Sequence, residues 1–242
     1  MTTIEDNLQQ VRGHIATACA RADRDVTAVT LLAVSKTFGP DAVSQAWLAG
    51  QRAFGENYVQ EGVEKILALQ DLLPGAGIEW HCIGPLQSNK TRQVATHFDW
   101  VQSVDRLKIA QRLSEQRPVD RAPLQVCLQV NVDGGANKSG VTPAELSGLA
   151  IAVAQLPRLR LRGLMCIPEP ADSFEAQRAV FLQARALFDE LNARGLGLDT
   201  LSMGMSDDLD AAIAAGSTMV RVGRAVFGSR AAPPERPDRS SI

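Results

Sequence analysis

The chain has 242 residues, 45% hydrophobic and 21% charged, with a formal net charge of −2. That length can bury a large core in one or two domains. The near-neutral charge, with basic residues scattered along the chain, leaves no electrostatic footprint for nucleic acid, and no apolar run approaches the ~20 residues of a membrane span. Cys19, Cys82, Cys127 and Cys166 are far apart with no C-x-x-C, and three of them fall in apolar runs that read as strands. Buried structural thiols are the expectation, rather than a metal site or a disulfide set. The start, Met1-Thr2-Thr3-Ile4-Glu5-Asp6, is acidic and polar, unlike a signal peptide, so a cytoplasmic protein is expected.

In chain order, Ile4, Leu8, Val11 and Ile15 recur at helical spacing and predict one amphipathic helix over residues 3–23. Strand and helix then alternate. Strands are predicted at Thr30–Ser35, Arg52–Gly55, Ile78–Ile83, Trp100–Val104, Leu124–Asn131, Leu159–Ile167, Thr200–Met203 and Met219–Val222. Helices are predicted at Asp41–Ala49, Asn57–Leu72, Asn89–Thr96, from a cap at Asp105 to Gln116, at Pro143–Ala154, Ser173–Arg194 and Asp207–Ala215. Ala232-Pro233-Pro234-Glu235-Arg236-Pro237 reads as a disordered tail.

Eight strands alternating with helices imply parallel pairing and right-handed crossovers. The fold class expected is therefore α/β, a (β/α)8 TIM barrel with an extra amino-terminal helix, formed by residues 1–230 as one domain and followed by a tail at 231–242. An open doubly wound sheet is the rival, and the G-x-G-x-x-G that would favour it after the first strand is missing.

The working face of such a barrel is the carboxyl end of its strands. Those ends supply Lys36, Glu56, Asn57, His81, Gly84 and Asn131, then Met165 and Pro168, the run Met203–Ser206, and Arg221, Gly223 and Arg224. Lys36 alone admits two readings: a lysine snorkelling at a strand end, or an amine poised to form a Schiff base. Ser202-Met203-Gly204-Met205-Ser206-Asp207 and Arg221-Val222-Gly223-Arg224 sit after strands seven and eight, the usual phosphate site of this fold. There Ser206 offers a hydroxyl, and Gly223 and Arg224 offer backbone amides. The same glycines are also explained by tight turns. Arg221 fits a barrel-end salt bridge. That reading would ordinarily prevail; the sharper one is a partner for the pyridine nitrogen of pyridoxal phosphate, because a guanidinium donates and never accepts and so keeps that nitrogen unprotonated. His14 and His97 read as solvated, and His81 as a core histidine or a general base. Asp207-Asp208-x-Asp210 reads as an acidic helix start rather than a metal site.

With these features in view the sequence resembles the pyridoxal phosphate homeostasis protein (YggS/PROSC-like) family, which is similar to the barrel domain of alanine racemase. The resemblance runs from the first helix to about Arg230. It is carried by Ala33-Val34-Ser35-Lys36-Thr37, Phe54-Gly55-Glu56-Asn57-Tyr58-Val59-Gln60-Glu61, Trp80-His81-Cys82-Ile83-Gly84-Pro85-Leu86-Gln87-Ser88-Asn89-Lys90, Val130-Asn131-Val132, Asn137-Lys138-Ser139-Gly140 and Gly163-Leu164-Met165. It continues through Leu201-Ser202-Met203-Gly204-Met205-Ser206-Asp207-Asp208 and Val220-Arg221-Val222-Gly223-Arg224-Ala225-Val226-Phe227-Gly228. The loop Asp133-Gly134-Gly135-Ala136 departs from the family pattern. The resemblance implies that Lys36 carries the pyridoxal phosphate aldimine, that Ser206, Gly223 and Arg224 bind the phosphate, and that Arg221 faces the ring nitrogen. It also implies that Asn57 lies near the phenolic oxygen and that Met165 and Val34 pack near the ring. Lys138, in the loop after strand five, and Lys90 are the competing amines.

The family is regarded as carrying or buffering pyridoxal phosphate in vitamin B6 homeostasis, without established turnover. Alanine racemases add a second domain that supplies a catalytic tyrosine. This chain ends at the barrel, and its one tyrosine, Tyr58, opens a helix. The expectation is a monomeric cofactor-binding protein whose partners are pyridoxal phosphate and apo forms of enzymes that use it. The alternatives are a pyridoxal phosphate-dependent racemase or lyase with Lys36 as its base, and a plain barrel for another ligand.

Overall fold

In the computed structural model, which describes residues 2–134 and 139–228, the chain opens with helix α1, Ile4–Arg21. A capping box starts it: the Thr3 hydroxyl accepts the Asp6 amide, and the Asp6 carboxylate accepts the Thr3 amide. Eight units follow: β1 Thr30–Val34 and α2 Pro40–Leu48; β2 Ala53–Glu56 and α3 Val59–Leu72; β3 Glu79–Cys82 and α4 Thr91–His97; β4 Trp100–Val104 and α5 Leu107–Gln116. Then come β5 Leu124–Gln129 and α6 Pro143–Ala154; β6 Leu159–Met165 and α7 Phe174–Ala193; β7 Thr200–Ser202 and α8 Leu209–Ala214; β8 Met219–Val222 and α9 Arg224–Phe227. Every strand pairs in parallel with its sequence neighbours. β1 also pairs with β8, matching Thr30 with Met219 and Leu32 with Arg221, so the sheet closes as the alternating pattern predicts.

Several expectations change in detail. The one-turn helix α9 and a 3-10 turn at Val26–Ala28 are absent from the sequence reading, because one turn is too short to show a period. Asp105 does not cap α5. Arg106 holds the cap position, and the Asp105 carboxylate is engaged instead by the Arg106 guanidinium at 2.7 Å. α3 begins at Val59, which leaves Asn57 in the loop after β2. β5 and β6 stop at Gln129 and Met165, short of Asn131 and Ile167, although the Val130 and Cys166 amides still donate to the neighbouring strands at 2.9 and 3.2 Å. The tail at 231–242 and Lys138 lie outside the described residues. Among the described residues, no helix is long and apolar enough to cross a membrane.

Most buried apolar side chains lie between the barrel and its helices, with Phe54, Phe98, Phe181 and Leu128 fully buried there. α1 adds Leu8, Val11 and Ile15 to this layer and packs on α2, α8 and α9. The interior of the barrel is different. It holds two small apolar clusters, one containing Leu32, Val34, Ile83 and Met219 and the other Trp100, Cys127 and Met165. Polar residues occupy other inward strand positions, although barrel interiors are usually filled by branched apolar layers. All four cysteines are buried free thiols, as expected, and burial pushes the Cys82 and Cys127 thiols up to about 12.

The β6–β7 pair leaves no room for a side chain at Gly163. The pairing of β6 with β5 shifts register at this point, from Val126 opposite Leu161 to Cys127 opposite Gly163, and Gly163 faces Thr200 on the other side. A Cβ on Gly163 would sit 1.6 Å from the Thr200 carbonyl oxygen. Gly163→Ala is therefore expected to cost about 3 kcal/mol of stability, at the upper end of overpacking losses. Urea unfolding checks this as a lower midpoint at unchanged slope; an unchanged midpoint would show that the two strands can part without loss.

Candidate functional site

Lys36 leaves the end of β1 in a tight turn closed by the Phe38 amide donating to the Ser35 carbonyl at 3.1 Å. Thr37, directly after it, has φ 69°, a left-handed conformation that a β-branched residue adopts only under local strain. Its amide is held by Glu61 of α3 at 2.5 Å. Glu61 and Glu56 both accept from Lys65, at 3.2 and 2.6 Å, and the buried Lys65 ammonium also donates to the Ser35 carbonyl at 2.9 Å. The Ser35 hydroxyl donates to Glu56 at 2.6 Å. Burial pushes the Glu56 carboxyl up against the pull of Lys65. The strained turn that presents Lys36 is thus braced from behind by a buried ion pair. Removing one partner of such a pair leaves the other charge uncompensated.

Lys36, Asn57, Ser206, Arg221, Gly223 and Arg224 line one cavity of about 870 Å3 at the carboxyl end of the barrel. Six of the seven residues singled out from the sequence therefore meet in one place. The seventh, Met165, is fully buried with Trp100 and Cys127 and does not line the cavity. Lys90, beside the start of α4, is also outside the lining. Val34 lines it, as do Ile83 and Ile167, which give it apolar walls, and Gln129, whose amide donates to the Ser139 carbonyl at 3.2 Å. Gln129 was legible in principle, since it shares the inward face of β5 with Cys127. It escapes a reading limited to residues beyond the strand ends.

The two loops at the β7–β8 side are held in place by side chains. Asp208 turns back to accept the Met205 amide at 2.5 Å, which braces the loop carrying Ser206. It therefore does not simply open a helix, and α8 starts one residue later. Gly223 precedes α9, whose first amides have no intrahelical acceptor. A Cβ at Gly223 would lie 3.2 Å from the Val34 carbonyl oxygen, a tight contact that glycine avoids. Phe38 stacks on Phe227 with centroids 5.1 Å apart, which ties the Lys36 turn to α9.

Arg221 is 4% exposed. It donates to the Ser202 hydroxyl at 2.7 Å and to the Cys166 carbonyl at 2.9 Å, and no carboxylate among the described residues lies within salt-bridge distance of it. The barrel-end salt bridge is therefore not what holds it. Burial pulls its pKa below the ordinary arginine value, yet a guanidinium starts so high that it keeps its charge. The result is a buried cation, hydrogen-bonded to neutral groups and facing the cavity.

His81 does not reach this face. It is fully buried inside the barrel, stacked on Trp100 with centroids 5.0 Å apart and hydrogen-bonded to Glu79 and Gln102, so it is the core histidine and not a base in the cavity. His14 is half-exposed on α1 and bonds to Asp210 at 2.7 Å, rather than being free in solvent. His97, the last residue of α4, is half-buried, and burial lowers its pKa.

The alanine racemase N-terminal domain family matches residues 3–231. A pyridoxal phosphate homeostasis protein of Pseudomonas aeruginosa is 59% identical over 230 residues, covering 95% of this chain and 97% of that protein. The structure of PipY from Synechococcus elongatus with PLP bound is 38% identical and superposes with a TM-score of 0.80, covering 93% of this chain and all of that one. Alanine racemase from Corynebacterium glutamicum, 19% identical with a TM-score of 0.62, shares the fold over 93% of this chain and 63% of its own. On sequence and fold together, the chain belongs to the alanine racemase N-terminal domain family and, within it, to the pyridoxal phosphate homeostasis proteins.

Proposed function

We propose that this protein binds pyridoxal phosphate through Lys36 and carries or buffers it in vitamin B6 homeostasis without useful catalytic turnover. The observation that carries the reading is the meeting, in one cavity, of an amine, a donor-only buried guanidinium and a glycine-lined set of amides and a hydroxyl. These groups fit the cofactor end to end. Lys36 Nζ would hold the aldehyde carbon covalently. The Ser206 hydroxyl and the amides of Gly223 and Arg224 would hold the phosphate. Arg221 would donate to the ring nitrogen, and Asn57 stands on the β2 side for the phenolic oxygen. When bound, the cofactor supplies an electrophilic carbon and an aromatic electron sink. The names of the relatives point the same way.

The rival reading is an amino-acid racemase, which the family match favours. Racemisation needs a proton donor on each face of the ligand. Among the described lining residues, Lys36 is the one amine, and neither histidine nor tyrosine is present. Tyr58 is 59% exposed and outside the lining, and Asp207, at the cavity's edge, has an exposed carboxylate that pairs with Arg224 at 4.0 Å. Arg221 cannot give up a proton, so it holds the ring nitrogen in its less electron-withdrawing form. We take the protein to be a cytoplasmic monomer that hands its ligand to apo-enzymes. Four buried thiols without a disulfide suit a reducing compartment, and the most exposed large apolar side chains, Val119, Leu48 and Leu72, sit on separate elements.

Borohydride reduction of the loaded protein, followed by peptide mapping, is expected to leave the pyridoxyl label on Lys36. A label mainly on Lys90 or Lys138 would overturn the assignment. Gly223→Val is expected to weaken pyridoxal phosphate binding about tenfold or more, the worth of a hydrogen bond to a charged group. Pyridoxal, which lacks the phosphate, should be affected far less, and equal losses would remove Gly223 from the phosphate site. Incubation of loaded protein with L-alanine and a panel of other amino acids should yield at most trace D-isomer. Turnover of roughly one per second, within the ordinary enzyme range, that vanishes in Lys36→Ala would make the protein an enzyme.

A further inference from the structure

A chain of hydrogen bonds crosses the barrel interior from the cavity to the opposite end. Arg221 Nη1 meets Ser202 Oγ at 2.7 Å, and Ser202 Oγ meets Gln102 Oε1 at 2.6 Å. Gln102 Nε2 meets His81 Nδ1 at 2.9 Å, and His81 Nε2 meets Glu79 Oε1 at 2.8 Å. The links come from β8, β7, β4 and β3 in turn. Arg221, Ser202, Gln102 and His81 are buried, while Glu79, at the amino-terminal end of β3, is 46% exposed.

The direction of every link is forced. A guanidinium only donates, so Ser202 Oγ must accept from Arg221 and give its own hydrogen to Gln102 Oε1. The Gln102 amide nitrogen then faces His81 and donates to Nδ1. That leaves the imidazole proton on Nε2, donating to Glu79. At the far end an ionised carboxylate only accepts. Burial and the chain act on these end groups in different senses. Burial, the largest single influence, opposes the charge of Glu79, but His81, Trp100 and Arg162 together outweigh it and hold the Glu79 carboxyl below its ordinary value. Burial likewise holds His81 neutral. One cation, three neutral groups and one anion are thus aligned donor to acceptor without a reversal, the arrangement in which each bond polarises the next.

We infer that Glu79, His81, Gln102 and Ser202 are positioning residues that orient the buried Arg221 guanidinium toward the ring nitrogen of the bound ligand. The inference rests on the proposed contact between Arg221 and that nitrogen. Its physical basis is that a buried cation with no carboxylate within salt-bridge distance needs fixed dipoles to hold it. Asp208 favours its charge from farther off, and this chain supplies the dipoles and ties them to the Glu79 carboxylate at the opposite end of the barrel. Polar residues in the middle of a barrel, where apolar packing would be cheaper to bury, are explained by that task.

The test compares binding of pyridoxal phosphate with that of its analogue carrying C–H in place of the ring nitrogen. Both have the same aldehyde and phosphate, so their affinity ratio isolates the Arg221 end of the site. In the unaltered protein pyridoxal phosphate should bind more tightly. If the two bind equally, the ring-nitrogen contact itself is wrong. Gln102→Met, an apolar replacement of similar length, should reduce the preference about tenfold, the worth of one hydrogen bond to a charged group. Affinity for the analogue should stay nearly unchanged. Glu79→Ala, made at the half-exposed end where the fold tolerates it, should give a smaller loss of the same sign, and Glu79→Gln, which still accepts from His81, should restore the preference. This second pair decides the matter if Gln102→Met does not fold. A preference that survives both Gln102→Met and Glu79→Ala, or an equal loss for both ligands, would show that the chain only fills the core.

Discussion

Closure of the sheet through β1 is the constraint on which the site depends. β1 bonds to β2 on one side and to β8 on the other, and its pairing sets Leu32 opposite Arg221 and Ala33 opposite Val222. Lys36 and the Gly223–Arg224 segment therefore emerge side by side, although they lie near opposite ends of the chain. The Phe38–Phe227 stack then holds the two emerging loops together. An open sheet would leave β1 and β8 as separate edges, and Lys36 and the Gly223–Arg224 segment would have no fixed relation.

Buried charge is the second theme. Arg221 lies within the barrel wall facing the cavity, and the Glu56–Lys65 pair lies outside the wall, between β2 and α3. Both are costly to desolvate. Each makes short hydrogen bonds to neighbouring polar groups, although Glu56 Oε2 is left without a partner, and each stands directly behind a residue that lines the cavity or is itself one. The Glu56–Lys65–Glu61 cluster braces the strained Thr37 turn that carries Lys36. Such placement fits a site whose two ends are preorganised, so that little ordering remains to oppose ligand entry.

The same geometry bears on what the protein does with its ligand. The lining mixes apolar walls from Ile83 and Ile167 with donors at both ends, and it carries one described amine. On the proposed assignment, these donors would grip a phosphate and an aromatic nitrogen alike at every stage of binding, holding the ligand without favouring any particular transition state. Such behaviour would suit storing a reactive aldehyde and releasing it.

Much of this architecture was legible in the sequence. Short apolar runs and helical segments, punctuated by Gly and Pro, marked the eight alternating units, because strands buried on both faces read as continuous apolar runs. The strand ends at Lys36, Asn57, Ser206, Arg221, Gly223 and Arg224 followed from barrel topology, and the motif resemblance identified the family. What the sequence could not contain was how side chains far apart in the chain meet across the closed barrel. Met165 ends a strand at the right height but faces Trp100 and Cys127 and not the cavity. His81 points to Glu79 and Gln102, and Asp105 answers its neighbour Arg106 instead of a helix. The pairing of Lys65 with Glu56 and the run from Arg221 to Glu79 join residues on different elements. Their geometry depends on register, tilt and closure, which no local pattern encodes, so only the tertiary structure could decide them.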